Sequence, residues 1–243
     1  MKRAKIIVIE GTDGSGKETQ SKLLEEYFNK NKYKVKRYSF PVYDSAPGKI
    51  VGGPYLGKSE ICDSYFKETS ALVDPIVSSL YYAADRRYNF LMEIEKEIYK
   101  NDVIILDRYT TSSMGHQAGK AKSKAKRDKI LKFLETLEYD LCELPRPDVT
   151  IFLHMPYEAA LELRKGRKSG DGNENNPEHL KRAEKNYIDL CKKYNWNYIN
   201  CVNGKYKDIS DIKSIEDISK EIIEISKKVI STKSTEIKKM TRF

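Results

Sequence analysis

The stretch Ile6-Ile7-Val8-Ile9-Glu10-Gly11-Thr12-Asp13-Gly14-Ser15-Gly16-Lys17-Glu18-Thr19 decides the fold. A short, mostly β-branched apolar run stops at a glycine-rich loop. The loop ends in Gly16-Lys17 and opens into Thr19-Gln20-Ser21-Lys22-Leu23-Leu24, which reads as a helix. Strand, phosphate-cradling loop and helix stand in the order a P-loop needs. Glycines let backbone N–H groups turn onto phosphate oxygens. The helix N-terminus adds positive dipole, and Lys17 adds a point charge for the β- and γ-phosphates. The expected nucleotide-binding set is Gly11, Thr12, Gly14, Ser15, Gly16, Lys17, Glu18 and Thr19, and the expected donor is ATP. An ordinary glycine-rich turn is the alternative; it leaves the register of strand, lysine and helix unexplained. One position departs from the pattern. Glu18 follows the lysine where a Mg²⁺-ligating hydroxyl usually stands, and Thr19 comes one residue later.

The chain has 243 residues and a net charge of +9, so its surface attracts anions. The basic residues are spread along the sequence, which favours a solvated lysine-rich surface over a nucleic-acid groove. Cys62, Cys142, Cys191 and Cys201 are far apart and form no C-x-x-C pair, so reduced thiols are expected rather than zinc or disulfides. No apolar run reaches the length of a signal-peptide core or a membrane span. A cytoplasmic protein is expected, with no membrane or nucleic-acid partner.

Outward from the P-loop, strands and helices alternate. Strands are predicted at Lys5 to Glu10, Lys34 to Phe40, Val103 to Leu106, Val149 to Leu153 and Tyr198 to Val202. Helices are predicted at Lys17 to Asn29, Pro75 to Tyr99 with Asp74 as N-cap, Lys126 to Leu137, Tyr157 to Arg164, Pro177 to Tyr194 and Ser214 to Ile230. Proline and glycine mark residues 41–57 as a long loop, and a polar loop is expected after Asp107. The expected fold is α/β: a P-loop parallel sheet of about five strands with helices on both faces, in a single domain spanning 1–243. A short lid at about 164–176 and a basic tail at about 231–243 complete it. Ligands of such sheets bind at the carboxyl ends of strands. Gly11, Phe40-Pro41, Asp107-Arg108 and the loop after Pro156 should therefore meet in one cleft.

Asp107-Arg108-Tyr109 directly follows the apolar strand. An acid there suits Mg²⁺, and an arginine beside it suits a bidentate grip on phosphate. A structural ion pair at a strand end is the other reading of the same residues.

Taken together, five motifs resemble the thymidylate kinase family. Gly16-Lys17…Thr19-Gln20 is similar to its Gly-Lys-Ser/Thr-Thr-Gln, and Phe40-Pro41 follows in order. Leu80-Tyr81-Tyr82-Ala83-Ala84-Asp85-Arg86 resembles its Leu-Leu-Phe-x-Ala-x-Arg helix. Leu106-Asp107-Arg108-Tyr109-Thr110-Thr111-Ser112 resembles its Asp-Arg-Tyr-x-x-Ser loop. Leu144-Pro145-Arg146-Pro147-Asp148 resembles its Leu-Pro-x-Pro-Asp approach to a strand. The resemblance runs from about Lys5 to Val202.

It implies Mg²⁺-dependent transfer of the ATP γ-phosphoryl group to a pyrimidine deoxynucleoside monophosphate, dTMP above all, by a homodimer. It implies that Tyr82 stacks on the base, Arg86 bonds its edge, Asp13 contacts the acceptor sugar and Arg108 holds the acceptor phosphate. Phe40, Pro41, Tyr43, Ser112 and Gln117 complete the substrate site. Arg164 and Arg167 on the lid join Lys17, Asp13, Asp107 and Arg108 in catalysis, and Thr19 and Asp107 are the expected metal ligands. The match is imperfect at Tyr43, where the family usually has an arginine for the acceptor phosphate; Lys49 or Arg87 is the candidate substitute. Gly115-His116-Gln117 replaces the more usual Ala-Tyr-Gln, and Gly48 to Thr69 is extended. A deoxynucleoside kinase with Glu10 or Asp107 as base, a kinase for another nucleotide and a non-enzymatic nucleotide- or nucleic-acid-binding protein stay open as alternatives.

Overall fold

The computed structural model describes residues 3–164 and 176–232. Its centre is a five-stranded sheet in the order β2-β3-β1-β4-β5. The strands are β1 (Lys5–Gly11), β2 (Val35–Ser39), β3 (Val103–Asp107), β4 (Val149–His154) and β5 (Asn197–Asn200), and every neighbouring pair is parallel. β1 and β3 are buried throughout, as continuous apolar strands in a doubly covered parallel sheet must be.

Alternation along the strands divides the core. Ile7, Ile9, Val103 and Ile105 face one side, where they pack with Leu24 and Phe28 of α1 (Lys17–Lys30) and Ile218 and Ile222 of α9 (Ile215–Ser231). Ile6, Val8, Ile104 and Leu106 face the other side and meet Phe90, Ile94 and Ile98. These follow α3 (Pro75–Asn89), whose N-cap Asp74 accepts from the amides of Ile76 and Val77. The predicted helix to Tyr99 is interrupted: a π-helical turn at Phe90–Ile94 leads into α4 (Glu95–Glu97).

Two predicted loops are helical. After Asp107 the chain forms α5 (Thr110–Gly119), not a polar loop, before α6 (Lys124–Glu135). Most of α5 is buried despite its polar composition, because tertiary contacts rather than an apolar stripe hold it. Its glycines let α8 (Pro177–Tyr194) come close: a β-carbon on Gly115 would lie 2.0 Å from Cζ of Tyr187. Residues 41–57 form α2 (Ala46–Ile50) and a π-helical turn at Val51–Tyr55, where Val51, Tyr55 and Leu56 pack with Val73. The last strand is Asn197–Asn200 rather than Tyr198 to Val202; Val202 instead makes an antiparallel bridge to Ile212. α7 (Tyr157–Leu163) matches its predicted span closely.

Gly115→Ala is expected to destabilise the protein, since the added methyl meets the Tyr187 ring. Overpacking of this kind costs about 1–3 kcal/mol. Thermal denaturation of the variant should show a melting temperature lower by several degrees; an unchanged transition contradicts the packing described.

Candidate active site

The carboxyl ends of β1, β2, β3 and β4 meet at one edge of the sheet. Ile9 stands opposite Asp107 and Gly11 opposite Leu153. The amide of Arg108 bonds the carbonyl of Ile9 at 3.1 Å, and that of Phe40 bonds Asp107 at 3.0 Å. Phe40-Pro41 is a cis peptide.

The glycine loop turns through left-handed Gly14 and Gly16, at φ +83° and +79°. Gly11 permits the close return of the loop, since a β-carbon there would lie 2.2 Å from Oγ of Ser15. Ser15 Oγ is buried without a hydrogen-bond partner, and α1 has no side-chain cap. These unmet donors suit phosphate. Lys17 is buried and bonds the carbonyls of Gly11 and Thr12 at 3.1 and 2.9 Å. Burial, reinforced by Arg108, pushes its pKa down to about 8, against the opposing pull of Asp13, Asp107 and Glu10. Glu18 points outward and pairs with Lys22 at 2.6 Å, and Thr19 is exposed in the same first turn.

Arg108 sits at φ +64°, in the left-handed region, and its guanidinium holds Asp13 at 2.7 Å. Backbone strain of this kind concentrates at functional positions. Burial alone would raise the Asp13 pKa; Arg108 and Lys17 overcome it and hold the carboxyl well below its usual range. His116 is pushed down to about 3, chiefly by burial, and so is neutral near pH 7. Its Nδ1 lies 3.3 Å from Nε2 of His179.

A cleft beside this pair is lined by Asp13, Phe40, Pro41, Tyr43, Leu56, Lys58, Tyr82, Arg86, Arg108, Ser112, Ser113, His116 and Gln117. It therefore gathers every residue expected to bind the acceptor. Tyr82 stands edge-on to Tyr55, with the Arg86 guanidinium 5.8 Å from its ring centre. Gln117 is buried and its Oε1 has no hydrogen-bond partner. A second hollow shares Asp13 and His116 with the first and adds Thr12, Tyr157, Arg164 and Tyr187. Arg164 thus reaches the site, whereas Arg167 and most of the expected lid lie outside the described residues. Arg87 turns away to the carbonyl of Cys142 at 2.7 Å, and Lys49 is exposed; neither lines the cleft.

Two residues, Glu138 and Lys58, were not evident from sequence patterns, and Glu10, expected only as a candidate base, takes a different place. Glu138 grips Arg86, accepting from its Nε at 2.9 Å and contacting its Nη2; both side chains are buried. Only their meeting across 52 positions reveals the pair. Lys58 belongs to the segment whose role composition left open. The Glu10 carboxylate accepts from the Tyr109 amide, Thr111, Ser112 and Tyr187 at 3.2, 2.7, 2.7 and 3.2 Å.

A glycine loop with a buried lysine, joined to a second cleft with an aromatic ring and two arginines, defines a P-loop nucleotide kinase. The profile of the family described as "Thymidylate kinase" matches residues 9–212, and the chain belongs to that family. A protein described as a probable thymidylate kinase from Thermococcus onnurineus is 30% identical over 220 residues, covering 89% of this chain and 94% of its own. A thymidylate kinase from Prochlorococcus marinus is 30% identical over 214 residues, covering 87% and 95%. The solved thymidylate kinase from Candida albicans shares the fold with a TM-score of 0.65 at 21% identity, over 94% of each chain.

Glu138→Ala should leave the buried Arg86 charge without its counter-ion. Breaking a buried pair in this way costs about 3–5 kcal/mol. Chemical denaturation should show the loss; a cost below about 1 kcal/mol means that Arg86 finds another partner.

Proposed function

We infer that the protein transfers the γ-phosphoryl group of ATP, with Mg²⁺, to the 5′-phosphate of dTMP, giving dTDP. The observation that supports it most directly is the shared wall of the two hollows. Asp13 and His116 line both, so an acceptor nucleotide in the first cleft ends beside the P-loop that cradles the donor. On this reading Lys17 leaves the carbonyls of Gly11 and Thr12 for the donor phosphates. Arg108 holds the acceptor phosphate, Asp13 positions Arg108 and meets the sugar, and Gln117 offers its unpartnered oxygen to the base. Arg164 and Arg167 add charge from the lid. Positioning and charge neutralisation then carry the reaction, and an acceptor phosphate needs no general base.

Mg²⁺ favours one or two carboxylates completed by phosphate oxygens and water. Buried Asp107 at the end of β3 fits that donor set, with Thr19 as the expected second ligand. When bound, the ion neutralises charge on the transferring group. A single kinase domain acting as a homodimer is the expected assembly. Val77, Leu80, Tyr88, Leu91 and Met92 support it, forming a row of exposed apolar side chains along α3 and the turn after it. The four free cysteines are consistent with a cytoplasmic location.

A nucleoside kinase requires a carboxylate base. Glu10 is disfavoured in that role, since four donors already occupy its oxygens. An ADP-release assay comparing dTMP with thymidine tests the choice. The ratio of kcat/KM for dTMP over thymidine should exceed one by orders of magnitude; a ratio below one overturns the monophosphate reading.

The Lys17 pKa of about 8 sets a pH dependence. Below that value the amine is already charged; above it, binding of a triphosphate must take up a proton. ATP affinity should therefore fall by about tenfold for each pH unit above pH 8, until the pKa of the bound state is reached. Titration calorimetry from about pH 7 to about pH 9.5 reads the slope. Lys17→Arg should flatten it, because arginine stays protonated throughout.

A further inference from the structure

Tyr43 offers the acceptor cleft one hydroxyl and no positive charge. Among the described residues, three cationic side chains line the cleft: Lys58, Arg86 and Arg108. Arg86 is neutralised by buried Glu138, and Arg108 is paired with Asp13 at 2.7 Å. Among the described residues Lys58 has no carboxylate within ion-pair distance. Its ammonium instead stands 4.8 Å from the centre of the Tyr43 ring. A nucleotide phosphate brings a charge near −2 at neutral pH, and two already paired arginines supply little net charge to meet it.

We propose that Lys58 binds the 5′-phosphate of the acceptor, with Tyr43 as the aromatic platform that aims it. The proposal rests on the monophosphate-kinase reading above.

The backbone is built to deliver this side chain. Just beyond the π-helical turn at Val51–Tyr55 comes Gly57, which is left-handed at φ +68°; a side chain there would also press within 3.2 Å of Ser64. The amides of Gly57 and Lys58 bond back to Gly53 and Gly52, each at 2.8 Å. The Lys58 carbonyl accepts from Ile61 and Cys62 at 2.9 and 3.2 Å. The α-carbon of Lys58 is thus pinned at the rim of the cleft while its four-carbon stem stays adjustable. Gly52 makes room for the platform, since a β-carbon there would lie 2.8 Å from the Tyr43 ring. An ammonium held over an aromatic face keeps its remaining donors available for an anion, and its charge is compact. On this assignment the segment after Gly48 supplies the charge that the residue at 43 does not.

The test is steady-state kinetics with ATP and dTMP varied separately. Lys58→Met keeps the stem and removes the charge. It should raise KM for dTMP about tenfold to a hundredfold, the usual scale for losing a hydrogen bond to a charged group. KM for ATP should change by less than about twofold. Lys58→Arg should retain most of the wild-type affinity, and adding Tyr43→Arg to Lys58→Met should restore much of what was lost. An unchanged KM for dTMP in Lys58→Met overturns the proposal and leaves the functional reading intact. A raised KM that neither arginine variant rescues also overturns it, because Lys58 then acts only through packing. Wild-type protein that fails to phosphorylate dTMP overturns the functional reading, and the proposal with it.

Discussion

The buried carboxylate of Glu10 is the constraint on which the site depends. It is fully buried at the end of β1, where an unsatisfied carboxylate is costly. Its four donors come from the turn after β3, from the first turn of α5 and from Tyr187 on α8. One charge therefore locks the glycine loop, the Asp107-Arg108 turn and two helices to a common point. Arg108 is held at its left-handed backbone position by neighbours on both sides: its own amide bonds β1, and the next amide bonds Glu10.

Around that point the cations are kept in place by internal partners. Lys17 rests on two carbonyls of its own loop, Arg108 on Asp13 and Arg86 on Glu138. Such pairing holds long side chains in a narrow range of geometries. Neutral His116 keeps the junction between the two hollows from gaining further positive charge.

How much of this was legible in the sequence varies from element to element. The five strands and the amphipathic or capped helices are encoded by neighbours a few positions apart, and most predicted spans are close to those observed; the helix capped by Asp74 ends at Asn89 rather than Tyr99, and the last strand is shifted to Asn197–Asn200. α5 was not legible. Thr110, Thr111, Ser113, Gly115 and Gln117 carry no apolar period, and the helix exists because Glu10, Arg86 and Tyr187 receive it. The turns at 46–55 were hidden in the same way by Pro47, Gly48, Gly52, Gly53 and Pro54, whose breaking tendency is outweighed by the packing of Val51 and Tyr55.

The sequence by itself determined the parallel sheet, the glycine loop with Lys17 and the acid-arginine turn after β3, because each is a contiguous pattern whose physics acts over one or two turns of chain. Tertiary structure decided the partners. Arg86 and Glu138 stand 52 residues apart, and Glu10 and Tyr187 stand 177 apart. Nothing local to either member announces the other. The same holds for Tyr43 and Lys58, whose meeting depends on the turn at Val51–Tyr55 and on Gly57 beyond it. Burial and charge compensation are properties of places in space, and those places exist only once the sheet and its helices have packed.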